Sequence, residues 1–295
     1  MTSTWLIAIP CAIFGAACFG AAGVLQHQAT QQAPPEKPLR PGLLFVLIRM
    51  SGFRIGVLLG ILGFAAQVVA LRFAPLILVQ PLLITDVLFY LGFASWRSHH
   101  PPDRRMQGGA LLALVGLAGF LIAASPSSGQ GTFDSAAALP LGIGLVVLIS
   151  ICLAVASRLH DEIRALPLAL ATAICYGVTA GLTRSLVSTT AVGPIWTHWE
   201  LYAVIVVGPA GFLLNQNAYQ SGILGSVALT TITIGDPLVA IGVGVAWLGE
   251  NIAGGWAILG EASAIGVMGL GIFLLATRAQ QIADRIRAGQ NPQEA

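Results

Sequence analysis

The sequence predicts an all-α polytopic membrane protein, with about nine transmembrane helices in two inverted-topology repeats and the N-terminus outside, the C-terminus inside. Three observations carry this expectation. Hydrophobic residues make up 56% of the 295 residues and charged residues only 9%, with a mean hydropathy of +0.84. Soluble domains carry about 25% charged residues, so most of this surface must face lipid. Apolar runs long enough to span a bilayer recur along the whole chain. Finally, Ala173-Ile-Cys-Tyr-Gly-Val-Thr-Ala-Gly-Leu-Thr-Arg184 has an earlier echo, Ala16-Ala-Cys-Phe-Gly-Ala-Ala-Gly-Val-Leu-Gln-His27.

A span needs about 20 mostly apolar residues, and that ruler places helices near 5–27, 53–71, 74–96, 107–124, 137–157, 165–187, 199–219, 223–248 and 256–276. The first run begins at Trp5 without a basic segment before it or a small-residue cleavage site after it, which reads as a retained helix. A Pro-rich polar loop, Gln31 to Arg40, follows, and then Leu43 to Met50, an apolar stretch that extends the second helix or lies at the interface. The second and third spans meet in a tight turn at Phe73-Ala74-Pro75, since proline is tolerated at a helix start. The seventh and eighth meet around Ser221-Gly222, and the polar tail from Gln280 reads as a short helix fraying after Gly289. Cys11, Cys18, Cys152 and Cys175 all lie in apolar runs without metal or disulfide spacing.

Basic residues fix the orientation. With nine spans and the N-terminus outside, cytoplasmic segments receive Lys37, Arg40, Arg49, Arg54, Arg97, Arg104, Arg105, Arg158, Arg164, Arg278, Arg285 and Arg287. The outer loops receive Arg72, and Arg184 lies toward the outer end of its helix. Cytoplasmic loops are the ones enriched in Lys and Arg; the plasma membrane is the expected location.

Laid over each other, the echoed segments pair Cys18 with Cys175, Phe19 with Tyr176, Gly20 with Gly177 and His27 with Arg184. The helices that carry them, first and sixth, run in opposite directions, so homology between them implies inverted repeats. The expected organisation is a first repeat over 1–127, a connecting helix and loop over 128–163, a second repeat over 164–279 and a cytoplasmic tail over 280–295. A second pairing sets Gln67-Val-Val-Ala70 against Asn215-Gln-Asn-Ala218. Inverted repeats place a substrate site near the midplane, and rocking of the halves gives alternating access.

The run from Gly60-Ile-Leu-Gly-Phe through Gln67 and Arg72-Phe-Ala-Pro75 to Gln80-Pro-Leu82 resembles the second-to-third helix region of the drug/metabolite transporter superfamily, particularly its NIPA-like magnesium-transporter branch. Asn217-Ala-Tyr through Gly235-Asp-Pro237 to Gly249-Glu250 is similar to the later EamA-type repeat. The resemblance implies a transporter of inverted repeats, and in the NIPA-like branch one that moves magnesium. Two departures stand out. Where that branch has Gly-Glu ahead of an Asn in the second helix, this chain has Gly63-Phe64 and Gln67, and the third helix ends in Trp96-Arg-Ser-His-His-Pro-Pro102 without a Gly-Glu. Mg²⁺ is commonly held by one or two carboxylates with retained waters, so losing that Glu weighs against magnesium.

Ionisable groups inside spans cost about 2.5–3.5 kcal/mol for a central Asp and usually face an interior or a wet cavity. Asp86 falls near the middle of the third helix and Asp236 near the middle of the eighth, corresponding helices of the two repeats, although the residues do not align one for one. Each reads as a proton or cation site or a counter-charge to a cationic substrate. The structural alternative is a carboxylate buried by hydrogen bonds beside a helix break, as Asp236 before Pro237 suggests. Gln67, Asn215, Gln216 and Asn217 supply donors and acceptors without charge, for solute recognition or for helix packing, and Tyr176 adds an aromatic wall. The expected substrate-binding set is therefore Gln67, Asp86, Tyr176, Asn215, Asn217 and Asp236. His27, Arg184 and Glu261 are candidates for coupling or gating. Glu250 reads as a helix-end or packing residue, and Arg184 as a partner for an anion or carboxylate, or as a snorkelling side chain. No set of metal ligands is assigned.

No HExxH, GxSxG elbow or Walker-type loop is present, so an enzyme is not expected, nor a cofactor or a nucleic-acid partner. The expected activity is secondary transport of a small metabolite or drug-like solute. The alternatives are a NIPA-like divalent-cation transporter and a non-transporting assembly or lipid-handling protein. Gly56–Gly60 and Gly177–Gly181 suit close helix contacts first and a homodimer contact second.

Overall fold

In a bilayer every backbone N–H and C=O must be satisfied within the chain, which leaves helices as the way across for an open chain. The computed structural model describes residues 2–32, 42–98, 103–124, 135–159, 163–189, 194–220, 225–250 and 256–287. They form α1 (Thr2–Gln32), α2 (Gly42–Ile48), α3 (Ser51–Phe73), α4 (Leu76–Leu83), α5 (Asp86–Ser98), α6 (Arg104–Ala124), α7 (Ser135–Arg158), α8 (Ala165–Thr189), α9 (Trp199–Gln220), α10 (Gly225–Leu248) and α11 (Ala257–Arg287). Among these residues there is no strand, and nine segments are long and apolar enough to cross a membrane: 5–30, 51–73, 76–96, 104–124, 139–158, 165–189, 199–218, 231–248 and 258–275. The expected turn at Ser221-Gly222 and the boundary at 127/128 lie outside the described residues.

Three details differ from the sequence reading. The expected single third helix over 74–96 is two helices, α4 and α5, divided at Ile84-Thr85. Pro81 has no amide to donate and its ring crowds the carbonyl of Ile77. Pro10, Pro140, Pro209 and Pro237 sit inside helices that continue, so proline alone does not make the break. After Pro81 the Ile84 and Thr85 amides bond three residues back to Pro81 and Leu82, and the Thr85 hydroxyl donates to the Leu82 carbonyl at 2.7 Å. Second, Gly42–Ile48 is a helix of its own, with Leu47 buried beside Ala29 and Phe53. Third, the ninth span and the tail are one helix that runs to Arg287.

Packing proceeds through small residues. The α1 and α3 helices are antiparallel: Gly56 lies against the Ala22 carbonyl, and Gly63 against the Gly15 carbonyl and the Phe19 ring. The α8 and α9 helices repeat the arrangement, with Gly211 against Cys175 and the Tyr176 ring. A β-carbon placed on Gly20 would stand 2.5 Å from the Asp86 carbonyl oxygen, 2.6 Å from the Tyr90 amide nitrogen and 2.8 Å from the Phe89 β-carbon. One placed on Gly177 would stand 2.8 Å from the Asp236 carbonyl oxygen, 2.8 Å from the Ala240 amide nitrogen and 2.7 Å from the Val239 β-carbon. Both glycines therefore meet an Asp and the residues three and four beyond it. The α6 and α11 helices cross antiparallel through Gly116 against Met268 and Gly271 against Ala113. The most buried span is that of α8 and the least buried that of α7, which places α7 at the periphery.

Because the atoms facing Gly20 and Gly177 are mostly backbone, they cannot yield. Overpacking costs about 1–3 kcal/mol, so Gly20→Ala and Gly177→Ala are each expected to lower the melting temperature in detergent. Gly92 has nothing within 4 Å of its built β-carbon. Gly92→Ala is expected to leave stability unchanged or raise it by about 0.5–1 kcal/mol; equal losses in all three variants would contradict the assigned contacts.

Candidate functional site

The helix break places Asp86 as the first residue of α5, where a helix N-terminus favours a carboxylate, and not within an unbroken helix as the sequence suggested. It is still near the centre of its span, 76–96. Asp236 lies midway along α10, ahead of Pro237. Both residues are half-buried. The Oδ1 atom of each is out of contact with solvent and has no hydrogen-bond partner among the described residues. The Asp236 carboxylate is near enough for its charge to act on Asp86.

Around this level other polar side chains are buried and incompletely bonded. Gln67 and Asn215 are buried on α3 and α9, each four residues beyond the glycine (Gly63, Gly211) that receives the ring of Phe19 or Tyr176. The Asn215 Oδ1 has no partner among the described residues, and neither has the Nε2 of Gln80, a buried residue of α4 that the sequence reading passed over. Tyr176 is half-buried with its ring against Gly211. Asn217 donates 2.8 Å to the Leu213 carbonyl of its own helix, a local bond that takes up part of its amide. Glu261 is buried on α11 with Oε1 unbonded among the described residues. His27 is half-buried and has a partner of its own.

Two belts of polar links flank the carboxylate level. At the end that carries the Phe73–Pro75 turn, Arg184 is buried, donates 2.5 Å to the Leu71 carbonyl and pairs with Glu250 at 3.6 Å. Glu250 accepts from the Leu76 and Ile77 amides at 2.9 and 3.2 Å, so it caps α4 from across the bundle. Arg72 donates to the Val187 carbonyl. Burial pushes the Glu250 carboxyl above its ordinary range, while the Leu76 and Ile77 amides and Arg184 pull it back down. At the opposite end the links are neutral. Gln216 donates 3.0 Å to Gln26 Oε1, Gln26 donates 3.1 Å to the Gly56 carbonyl, and the Thr30 hydroxyl donates 2.9 Å to Gln216 Oε1.

The structure thus sets Asp86 and Asp236 within electrostatic reach of each other and buries Gln67 and Asn215, each four residues beyond a glycine that receives an aromatic ring. Arg184 is committed to Leu71 and Glu250 at one end, so it does not snorkel freely. Gln216 is an amide that joins α9 to α1. Gln26 and Thr30 were missed by the sequence reading. Their signal was the polar run Gln26-His27-Gln28 at the end of a helix longer than a bilayer requires. A shallow, open apolar groove of about 360 Å³ lined by Leu88, Phe89, Gly92, Phe93 and Trp96 lies along α5, beyond the break. Among the described residues no group of three or more His, Cys, Asp and Glu side chains comes together.

The chain is similar to an uncharacterized protein of Corynebacterium glutamicum, 25% identical over 250 residues, which make up 83% of this chain and 86% of that protein. No protein-family pattern matches it, and no solved structure matches it.

The two kinds of polar group differ in what their loss should do. A buried polar atom without a hydrogen bond is costly, and each carboxyl keeps one at Oδ1 among the described residues, so Asp86→Asn and Asp236→Asn are each expected to raise the melting temperature, by about 2–4 °C for each kcal/mol relieved in a chain of this size. Gln216→Ala leaves Gln26 Oε1 without this donor and is expected to lower it, since an orphaned buried group costs about 1–3 kcal/mol. A fall in melting temperature in both Asp variants would show that the carboxylates are structural anchors.

Proposed function

We propose that the protein is a secondary transporter that moves a small solute, a metabolite or drug-like compound, across the plasma membrane by alternating access between two inverted repeats. The observation that carries this reading is the Asp86–Asp236 pair. Two carboxylates at mid-span, with unbonded Oδ1 atoms and on corresponding helices, are costly to keep in a bilayer unless they face a ligand or a proton path. A cationic group is the natural occupant.

The repeat arrangement is supported by contacts that recur in register. Gly20 meets Asp86, Phe89 and Tyr90 as Gly177 meets Asp236, Val239 and Ala240. Phe19 packs on Gly63 as Tyr176 packs on Gly211, and the Gly116–Met268 contact between α6 and α11 is matched by Ala113–Gly271. The α1 and α9 helices end together at Thr30 and Gln216, while α8 is antiparallel to α9, so α1 and α8 run in opposite directions. An N-out, C-in orientation follows from the distribution of basic residues. In such folds the substrate lies at the repeat interface near the midplane, the level of the two Asp residues.

Divalent-cation transport is the second reading, favoured by the same carboxylates: Mg²⁺ keeps several waters and needs only one or two carboxylates from the protein. The amide-bearing surroundings of Gln67, Gln80 and Asn215 favour an organic solute. Proteoliposomes tested against a panel of amines, amino acids, drug-like cations and Mg²⁺ separate the two. Saturable uptake of an organic solute, lowered about tenfold or more by Asp86→Asn and by Asp236→Asn, is the expected result. Mg²⁺ uptake that vanishes in Asp86→Asn would move the assignment to the cation, and solute uptake unaffected by both variants would remove the carboxylates from the mechanism.

A further inference from the structure

The α4 helix has a mechanical peculiarity: it is only Leu76–Leu83, bounded by the Phe73–Pro75 turn at one end and the Ile84-Thr85 break at the other. It is a short helix between two breaks in the helical backbone. Its first turn is not held by its own cap residue, because Pro75 makes no side-chain capping bond. The Leu76 and Ile77 amides are instead received by the two carboxylate oxygens of Glu250, more than 170 residues away.

Glu250 reaches that position because of the residue before it. Gly249 has φ +60°, a left-handed conformation that costs a residue with a β-carbon about 1–2 kcal/mol. It turns the chain sharply after α10, so that the Glu250 amide bonds back to the Gly244 carbonyl at 3.0 Å. The carboxylate then lies between the start of α4 and Arg184 of α8, 3.6 Å from the guanidinium Nε. Arg184 in turn holds the Leu71 carbonyl near the end of α3. One carboxylate and one guanidinium thus tie the tip of α4 and the end of α3 to α8 and to the segment after α10. The side chain of Val79 is buried under this closure, in a cluster with Leu248, Val243, Ala180 and Leu182.

We propose that Glu250 and Arg184 form a latch that holds α4 closed over the carboxylate level, and that its release lets α4 swing about those two breaks and admit water from the Phe73–Pro75 end. The proposal rests on the alternating-access reading only for the purpose of the motion; the latch itself is a property of the chain. Glu250→Gln keeps one acceptor for the α4 amides and loses the charge pair. Gly244→Ala alters no charge: its β-carbon would stand 2.9 Å from Glu250 Oε2, so the carboxylate must shift against the α4 amides.

The test uses the full chain with Cys11, Cys18 and Cys152 replaced by Ser, Val79→Cys introduced on α4, and native Cys175, buried against Gly211, kept as an internal reference. A membrane-impermeant maleimide is applied in proteoliposomes, and labelling of each thiol is followed by peptide mass spectrometry. The expected result is slow labelling of the introduced α4 thiol in this background and labelling about tenfold or more faster in Glu250→Gln and in Gly244→Ala, with Cys175 unchanged. Labelling of the α4 thiol at the background rate in a folded variant overturns the latch, and so does an equal rise at Cys175, which reports general loosening. If Glu250→Gln does not fold, Gly244→Ala decides. Because labelling needs no substrate, faster labelling with no solute transported leaves the latch standing and overturns the transporter reading. Transport with unchanged labelling overturns the latch alone.

Discussion

The rest of the structure depends on how closely two helix pairs approach: α1 to α5 at Gly20, and α8 to α10 at Gly177. At both places the absence of a side chain lets one backbone lie against the first turn after an aspartate, with carbonyl and amide atoms of the partner helix within 3 Å of where a β-carbon would be. Without a hydrophobic driving force between helices in lipid, association relies on such close packing through small residues. The approach also decides where the charges are. It brings Asp86 and Asp236 to the middle of the bundle from opposite halves of the chain, where neither has a bonded donor at Oδ1 among the described residues.

Around that level the polar residues sort by what they can tolerate. The charged links, Arg184 with Glu250 and Arg72 with Val187, lie at the Phe73–Pro75 end, and the neutral amide chain of Gln26, Gln216 and Thr30 lies at the other. A buried ion pair is stable only when further hydrogen bonds satisfy its remaining atoms. Glu250 meets that condition by capping α4, and Arg184 by holding the Leu71 carbonyl. Both ends are therefore bonded across the two halves of the chain, whereas the centre holds two carboxyl groups whose Oδ1 atoms go unbonded among the described residues.

Much of this was legible in the residues. The nine spans follow from window length and hydropathy, which no local interaction overrides, and the echo between Cys18-Phe-Gly20 and Cys175-Tyr-Gly177 identified the helices whose contacts recur. Other features were not. The third span breaks at Thr85 because of a hydroxyl bond to Leu82 that follows Pro81, whereas four other prolines sit inside unbroken helices. That Asp86 faces Gly20 as Asp236 faces Gly177 was not legible, because the two Asp residues do not align in the sequence. Glu250 looked like a helix end; its partners are more than 170 residues away in sequence, and no local pattern announces a cap supplied from another part of the chain.

The central claim is that the two mid-span carboxylates face a site that a solute occupies. Reaction with an apolar carbodiimide, which modifies carboxyl groups within lipid, followed by peptide mass spectrometry, tests it most directly. The account predicts modification of Asp86 and Asp236, slowed in a concentration-dependent way by the solute the protein carries. Both residues left unmodified, or modified at a rate that no solute changes, would contradict it.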